Sequence, residues 1–281
     1  MTDWVSTKMA RQMLGVSATT IKRWANERKM PSMRTAGGHR RFKRSDIQRI
    51  LGGQVTMSDS PALKEHWLDW LAATANSTFI EARVKDLYSE FDSWFAVADF
   101  LASVFEKIDT RWTMGKCAIL EEHVASGRLG LALSAISSSF RVREGAPICL
   151  LVTLPGEQYA LGLSLAQMCL RSENIEAVCA GTNTPVDQII SRMPEWQPHS
   201  IGLFASSFSL GRDSLASAYK QVATTCKKLD VELLLVGRGA WPDSVDYGLR
   251  CRTFTELEEL LPGMAAVSSR RASNHAQFSN T

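Results

Sequence analysis

The first residues that indicate chemistry are basic side chains beside a glycine pair. Gly37 and Gly38 lie in the segment RTAGGHRRF and favour a tight hairpin turn. His39, Arg40 and Arg41 follow that turn directly. Guanidinium groups suit contacts to phosphates or to the minor groove, because each presents several N–H donors in one plane. We therefore expect these three side chains to project together from the hairpin and to contact DNA.

A second set of polar side chains lies on a short helix upstream of the hairpin. Two helical patterns flank the turn at Gly15 and Val16, which is the helix-turn-helix arrangement whose second helix enters the major groove. Ile21 and Trp24 are expected to face inward on that second helix. The candidates for DNA contact on its exposed side are Ser17 at its start, then Thr19, Thr20, Lys22 and Arg23.

The charge distribution supports a nucleic-acid partner. Residues 1–51 contain 12 Lys and Arg against three acidic residues, a net charge of +9, whereas the rest of the chain carries −6. The net charge of +3 for the whole chain conceals a basic head on an acidic body. A basic module of this density attracts phosphates, so we expect double-stranded DNA as a partner.

The elements of the head resemble the winged helix-turn-helix of MerR-family regulators. The resemblance covers nearly all of residues 4–51, in the order STKMARQMLGVSATTIKRWANE, then the GGHRRF hairpin, then the helix SDIQRIL. It implies a transcription regulator that binds an operator. Phosphate contacts would supply affinity and salt dependence, and only Thr19, Thr20 and Lys22 would read bases.

In the middle of the chain, Trp112 is followed after nine residues by Glu122 and His123. On a continuous helix these positions are about three turns apart and share one face. Taken alone, such residues are more often part of the core and surface of a helical bundle. They are also candidates for a ligand site.

Polar residues and glycines follow several predicted strands at their carboxyl ends. Ligands of open parallel sheets bind at this edge. The loop after the first predicted strand reads PGEQYALGL, the loop after the third contains Ser206 and Ser207, and the loop after the fourth contains Gly237 and Gly239. These residues become candidates for a ligand site through the family resemblance given next.

The Trp-x9-Glu-His spacing, followed by a sheet domain, resembles the cobalamin-binding light sensors of the CarH and LitR type. The resemblance implies adenosylcobalamin as cofactor and places Trp112 over the upper face of the corrin. It places Glu122 in the same pocket and makes His123 a cobalt ligand from above. The family marks its first loop with D-x-H-x-x-G, whose His binds cobalt from below. Here Glu157 stands at the acidic position and Gly162 at the glycine, but Tyr159 replaces the His.

The serine and glycine pairs of the other two loops stand where the family has small residues that make room for the nucleotide tail. Tyr159 leaves three possibilities open, because a neutral phenol is a poor cobalt ligand beside imidazole. Cobalamin binds with its own base or water below, another planar or light-absorbing ligand occupies the site, or the fold is a protein-interaction module without a ligand.

Apolar periodicity predicts the elements that position these residues. The linker covers 52–61, and residues 62–143 have the three- and four-residue spacing of four antiparallel helices, with Phe79 in the core. Strand-length apolar runs such as ICLLVT and VELLLVG then alternate with helices over 144–265, and 266–281 form a disordered tail. The predicted fold is multidomain α and α/β: a winged helix-turn-helix head, a four-helix bundle cap and a Rossmann-like (flavodoxin-like) parallel sheet of the cobalamin-binding type.

Several classes of function are excluded by the same sequence. No apolar run approaches the ~18 residues of a membrane helix, and the N-terminus is no signal peptide, so we expect a cytoplasmic protein. The six scattered cysteines form no C-x-x-C pair, which argues against a zinc ribbon and for reduced thiols. The sheet region has neither G-x-G-x-x-G nor a P-loop lysine, so we expect no enzyme. One head offers little contact area, so residues 62–262 are expected to form dimers or tetramers.

Overall fold

The computed structural model describes residues 4–14, 18–26, 30–35, 38–43, 47, 64, 67, 70–71, 76–113, 119–207, 209 and 211–261. For residues 11–14, 18, 107–113 and 119 it describes the backbone alone. The chain divides into two compact units, Met1–His66 and Trp67–Thr281. The predicted linker at 52–61 and the predicted tail at 266–281 lie outside the described residues.

The first unit combines two helices with a small antiparallel sheet in the order β1-β3-β2. Ser6 accepts a hydrogen bond from the N–H of Met9 at 3.2 Å, as expected of a residue that begins a helix. Phe42 is fully buried among apolar residues of both helices. The described elements are β1 (Trp4–Ser6), α1 (Thr7–Leu14), α2 (Ala18–Asn26), β2 (Ser32–Arg34) and β3 (Arg40–Lys43). β1 is absent from the sequence prediction.

The second unit begins with a helical part. α3 starts after Asn76, whose side chain accepts the N–H of Thr78 at 2.9 Å, and it ends at Asp92 in the left-handed conformation. Phe79 on α3 is 65% exposed, so its prediction as a core residue is wrong. The helices are α3 (Ser77–Phe91), α4 (Trp94–Thr113) and α5 (Ile119–Ser139).

Trp67, at one of the four described helical positions before α3, packs against these three helices. Its ring is buried and lies edge-on to Phe100 of α4, with 5.8 Å between ring centroids. The guanidinium of Arg83 on α3 lies 5.7 Å from the same ring, and Arg128 of α5 donates to the carbonyl of Leu71 at 3.3 Å. The predicted first helix of the bundle falls only partly within the described residues, at positions 64, 67, 70 and 71.

The rest of the second unit is a five-stranded, fully parallel sheet in the order β5-β4-β6-β7-β8. This is the doubly wound, flavodoxin-like order, as predicted. The central strands are buried on both faces and therefore read as continuous apolar runs. The elements are β4 (Ile148–Thr153), α6 (Leu161–Ser172), β5 (Glu176–Gly181), α7 (Val186–Trp196), β6 (Ser200–Phe204), α8 (Arg212–Leu229), β7 (Glu232–Val236), β8 (Leu249–Cys251) and α9, residues 254–261.

Asp99 joins the helical part to the sheet part. Its carboxylate, on α4, accepts the backbone N–H groups of Phe254 at 2.6 Å and Thr255 at 3.0 Å, and the hydroxyl of Thr255 at 2.6 Å. These N–H groups belong to the first turn of α9, where a helix leaves donors without partners of its own. A residue of one part therefore caps a helix of the other.

The described cysteines are all free, and burial raises the pKa of Cys149 and of Cys226 to about 12, so both stay thiols at neutral pH. Cys117 lies outside the described residues. Among the helices that the structure describes, none has the length and apolar character needed to cross a membrane.

We expect Asp99→Ala to lower the free energy of unfolding by about 1–2 kcal/mol, because it leaves the N–H groups of Phe254 and Thr255 without their side-chain acceptor. Asp86→Ala is the matched control, since Asp86 forms only an exposed ion pair with Arg83 on α3. Its effect should stay within about 0.5 kcal/mol. Urea denaturation followed by circular dichroism measures both. Equal effects would contradict the role of Asp99.

Candidate functional site

The hairpin of the first unit turns at Gly38, which has a φ of +77° in the left-handed region. The N–H of Thr35 donates to the carbonyl of His39 at 2.9 Å, and the N–H of Gly38 donates to the carbonyl of Thr35 at 2.8 Å. β2 and β3 continue from this turn with Arg34 opposite Arg40 and Met33 opposite Arg41. The predicted hairpin is present, and Gly37 lies outside the described residues.

The two arginines of the hairpin point in opposite directions, because successive side chains of a strand alternate between its faces. Arg40 shares a face with the buried Phe42, and its guanidinium donates to the carbonyl of Lys22 at 2.8 Å and to the side-chain oxygen of Asn26. Arg41 lies on the other face. The prediction that His39, Arg40 and Arg41 project together is therefore wrong for Arg40, which fastens the hairpin to α2.

The exposed side of α2 carries the predicted DNA contacts. Thr19 and Lys22 are exposed, and Thr20 and Arg23 are half-buried. Ile21 is fully buried in the core of the unit, and Trp24 packs against that core, as predicted. Ser17 lies outside the described residues. One surface of α2 is therefore polar and basic, and the hairpin is attached to its end by Arg40.

The candidate ligand loops meet where the strand order reverses between β4 and β6. Glu157, in the loop after β4, is 6% exposed. Its carboxylate accepts the N–H of Tyr159 at 2.9 Å, the N–H of Ser206 at 2.8 Å and the hydroxyl of Ser209. The carboxylate therefore connects its own loop to the loop after β6.

Burial by itself raises the pKa of the Glu157 carboxyl. The hydrogen bonds from Ser206, Ser209 and the N–H of Tyr159 outweigh burial, so that its pKa lies below the ordinary value of 4.5. The group is a buried, fully charged carboxylate at neutral pH, and the surrounding donors hold it in that state.

A third loop joins the same network. The hydroxyl of Thr153, at the end of β4, donates to the carbonyl of Glu157 at 2.7 Å and accepts the N–H of Asn183 at 2.8 Å. The side chain of Asn183 accepts the N–H of Gly156 at 2.7 Å. Sequence reasoning missed Thr153, Asn183 and Ser209; the available signal was that Thr153 ends β4 and that the other two lie in the loops after β5 and β6.

The glycines after β7 allow close packing. Gly237 has a φ of +92°, and a Cβ there would lie 2.6 Å from the carbonyl oxygen of Ala205. A Cβ at Gly239 would lie 2.5 Å from the Cβ of Ala205, and the N–H of Gly239 donates to the Ala205 carbonyl at 2.9 Å. The expectation that these glycines leave room for a ligand is therefore wrong, since they bring two loops together.

The lower-face residues do not fit a corrinoid bound in the manner of the resembled family. Tyr159 offers a phenol in place of an imidazole, and the acceptor oxygens of Glu157 are already used by the chain itself. The ring of Phe204 lies 3.5 Å from the position that a Cβ at Gly162 would take, an ordinary packing distance. Ser207 is exposed beside this network.

The upper-face candidates lie on two helices. Trp112 lies in α4, and Glu122 and His123 lie in α5. Residues 114–118 are outside the described residues, so the prediction of one continuous helix from Trp112 to His123 is not tested. The side chain of Trp112 is outside the described residues.

Glu122 and His123 lie in the first turns of α5. The imidazole is 70% exposed, and its Nε2 lies 3.5 Å from the Glu122 carboxylate. A short connection, 140–147, leads from the end of α5 to the start of β4. The first turn of α5 is the end of this helix that lies farther from the connection to β4. The described residues contain no group of three His, Cys, Asp or Glu that could hold a metal ion.

Comparison with known proteins identifies one domain. The chain carries a helix-turn-helix domain, by a match to the family of that description over residues 4–54. No curated protein matches the chain.

Three of the solved structures with partial likeness have titles that name cobalamin or a corrinoid. A cobalamin-binding protein from Desulfitobacterium hafniense DCB-2 is 13% identical with a TM-score of 0.33, over 72% of this chain and 98% of that one. The monomethylamine corrinoid protein of Methanosarcina barkeri is 9% identical with a TM-score of 0.47, over 70% and 95%. The methanol:cobalamin methyltransferase complex MtaBC of Methanosarcina barkeri is 8% identical with a TM-score of 0.35, over 73% and 81%. At these values the likeness carries no argument about a ligand of this chain.

We expect Glu157→Gln to lower the free energy of unfolding at pH 7 by about 1–3 kcal/mol, because an amide cannot replace the charged acceptor. Since the folded-state pKa is lowered, the contribution of the carboxylate is complete above pH 4.5 and is lost as the pH falls through the folded-state value. The difference between wild type and variant should therefore shrink on acidification.

Denaturant titrations between neutral and acid pH measure this difference. Glu195→Gln is the control, since that carboxylate is exposed on α7 and pairs only with Arg192. A difference for Glu157→Gln that is the same at both ends of the pH range would contradict the charged network.

Proposed function

We propose that the chain is a DNA-binding transcription regulator with a winged head of the MerR type. The single observation that carries this proposal is the helix-turn-helix domain over residues 4–54, in a segment that also holds the basic charge of the chain. The hairpin β2–β3 supports a wing, because it is fastened to the end of α2. The proposal assigns no catalytic reaction to the chain.

In this proposal α2 lies in the major groove, where Thr19 and Lys22 reach base edges. Arg41, on the face of the hairpin opposite Phe42, contacts the phosphate backbone beside the groove. Arg40 is a positioning residue, because its guanidinium is used by the carbonyl of Lys22 and by Asn26. The two arginines therefore have different roles, although they are neighbours in sequence.

Arg41→Ala should weaken binding to every duplex and reduce the salt slope by about 1, because one phosphate contact and its counterion release are lost. Arg40→Ala should also lower the melting temperature, since it frees the hairpin from α2. Arg192→Ala, an exposed arginine of the second unit, is the control for total charge. Fluorescence anisotropy at several salt concentrations measures affinity and slope. An unchanged slope for Arg41→Ala would contradict its contact.

For the second unit we propose a protein-interaction module that controls assembly on the operator. The support is the network around Glu157, which uses the groups at the switch point of the sheet for contacts within the chain. In a ligand-binding sheet of this order, the same groups would face the ligand. The proposal thus gives the sheet part the role of a scaffold.

A second candidate is a cobalamin-type, light-responsive sensor. The observation that favours it is the exposed His123 beside Glu122 in the first turns of α5, where an imidazole is accessible to a ligand. The corrinoid proteins that share a partial likeness bind such a group, but the lower-face residues of this chain do not fit it. The candidate therefore depends on Glu122 and His123, together with Trp112.

Mixing the protein with adenosylcobalamin in the dark, followed by desalting and a visible spectrum, separates the two proposals. We expect neither the wild type nor Tyr159→His to retain the corrinoid, because the carboxylate of Glu157 is still used for hydrogen bonds within the chain. Retention by the wild type that is lost in His123→Ala would overturn the ligand-free module and support the sensor. Glu195→Gln, a substitution on the exposed surface of α7, is treated in the same way as the control and should behave as the wild type does.

A further inference from the structure

We infer that the outer face of α5 is a docking surface for α5 of a second copy of this chain, with the two helices antiparallel. The inference concerns the assembly of the second unit and stands without the proposed binding of DNA. Its basis is a helix whose inner side is buried in the core and whose outer side carries exposed leucine side chains and no charge.

The inner side of α5 is fully buried. Leu129, Leu133 and Ile136 are at most 1% exposed and form part of the core of the helical part. A helix at the surface of a domain normally presents charged and polar residues on the side opposite its core. A helix that is apolar on both sides is normally covered on both.

The outer side of α5 carries no charge along about five turns of helix. Leu120 is 71% exposed and Leu131 is 65% exposed, and both lie on this face. Six residues at alternating four- and three-residue spacing form this face, which we call the α5 seam: Leu120, Val124, Gly127, Leu131, Ser134 and Ser138.

The spacing of the α5 seam indicates that its partner is another helix. Alternating steps of four and three residues are the heptad pattern, in which side chains of one helix insert between side chains of a facing helix. Gly127 supports this assignment, because a mid-helix glycine is unfavourable and nothing in this chain lies within 4 Å of the position of its absent Cβ. The packing within the chain gives no reason for glycine there.

The order of residue sizes along the α5 seam makes it complementary to itself when reversed. In an antiparallel pair that places Gly127 opposite Leu131, Leu120 lies opposite Ser138 and Val124 opposite Ser134. Every contact then joins a large side chain to a small one, and each contact occurs twice about the two-fold axis. A parallel pair would instead place leucine against leucine and glycine against glycine.

Charge complementarity selects the same direction. The first turn of α5 is acidic, with Glu121 and Glu122, and the residues just past its last turn include the exposed Arg141 and Arg143. An antiparallel pair brings the acidic end of each helix beside the basic end of the other and opposes the two helix dipoles. A parallel pair would bring like charges together at both ends.

The occupant is therefore a second copy of this chain. Sedimentation velocity of the full chain without DNA should show a dimer at about 10 µM. Leu131→Glu should raise the dissociation constant by about 30-fold or more, because a charge is buried at the centre of the contact. Trp196→Glu, which alters an exposed aromatic residue on α7, is the matched control and should leave the dimer intact. A wild type that stays monomeric would overturn the inference.

Gly127→Leu tests the direction of pairing. It should weaken the dimer by placing the introduced leucine against Leu131 of the other copy, while the melting temperature of the dissociated chain stays the same or rises. Adding Leu131→Ala to this variant should restore the dimer, because the large side chain at position 127 then lies opposite a small side chain at position 131 of the other copy. A tighter dimer with Gly127→Leu alone, or no rescue by the second substitution, would overturn antiparallel pairing.

Discussion

The parallel sheet of the second unit leaves backbone N–H groups without strand partners where its strand order reverses, and a buried carboxylate satisfies them. Glu157 accepts hydrogen bonds from its own loop and from the loop after β6. A buried charge is tolerated only when donors replace the water that it has lost. The geometry of both loops therefore depends on this carboxylate remaining charged. The glycines after β7, Gly237 and Gly239, pack against Ala205 at the start of the loop after β6.

The same constraint governs the function of the sheet part. An open parallel sheet offers its switch point to ligands because loop N–H groups there diverge and face solvent. In this chain N–H groups of two loops converge on a side chain of the chain itself, and the ring of Phe204, from β6, lies against Gly162 of α6. In the ligand-free module that we propose, groups that such a fold usually offers to a ligand hold the loops together instead.

Sequence reasoning recovered the elements with strong local signals. β4 was predicted at its observed bounds, because a six-residue apolar run between turn residues is typical of a buried strand. β1 was missed, since three residues are too few to show alternation. The contact of Asp99 with α9 joins residues 155 positions apart, and the periodicity of the sequence does not indicate such a contact. The glycines after β7 were placed correctly but explained wrongly, because a glycine permits an open slot and a close approach equally well.

The attachment of the hairpin by Arg40 has a consequence for how the head meets a duplex. A wing on a flexible arm adjusts to each groove that it encounters and loses conformational freedom on binding. A wing fastened to the end of α2 keeps a fixed distance between the helix and the strand tip. In the proposed complex the separation between α2 and the hairpin tip is then fixed. DNA of the wrong groove width or bend would have to deform before both elements contact it. Selectivity for shape would follow from one guanidinium that never touches DNA.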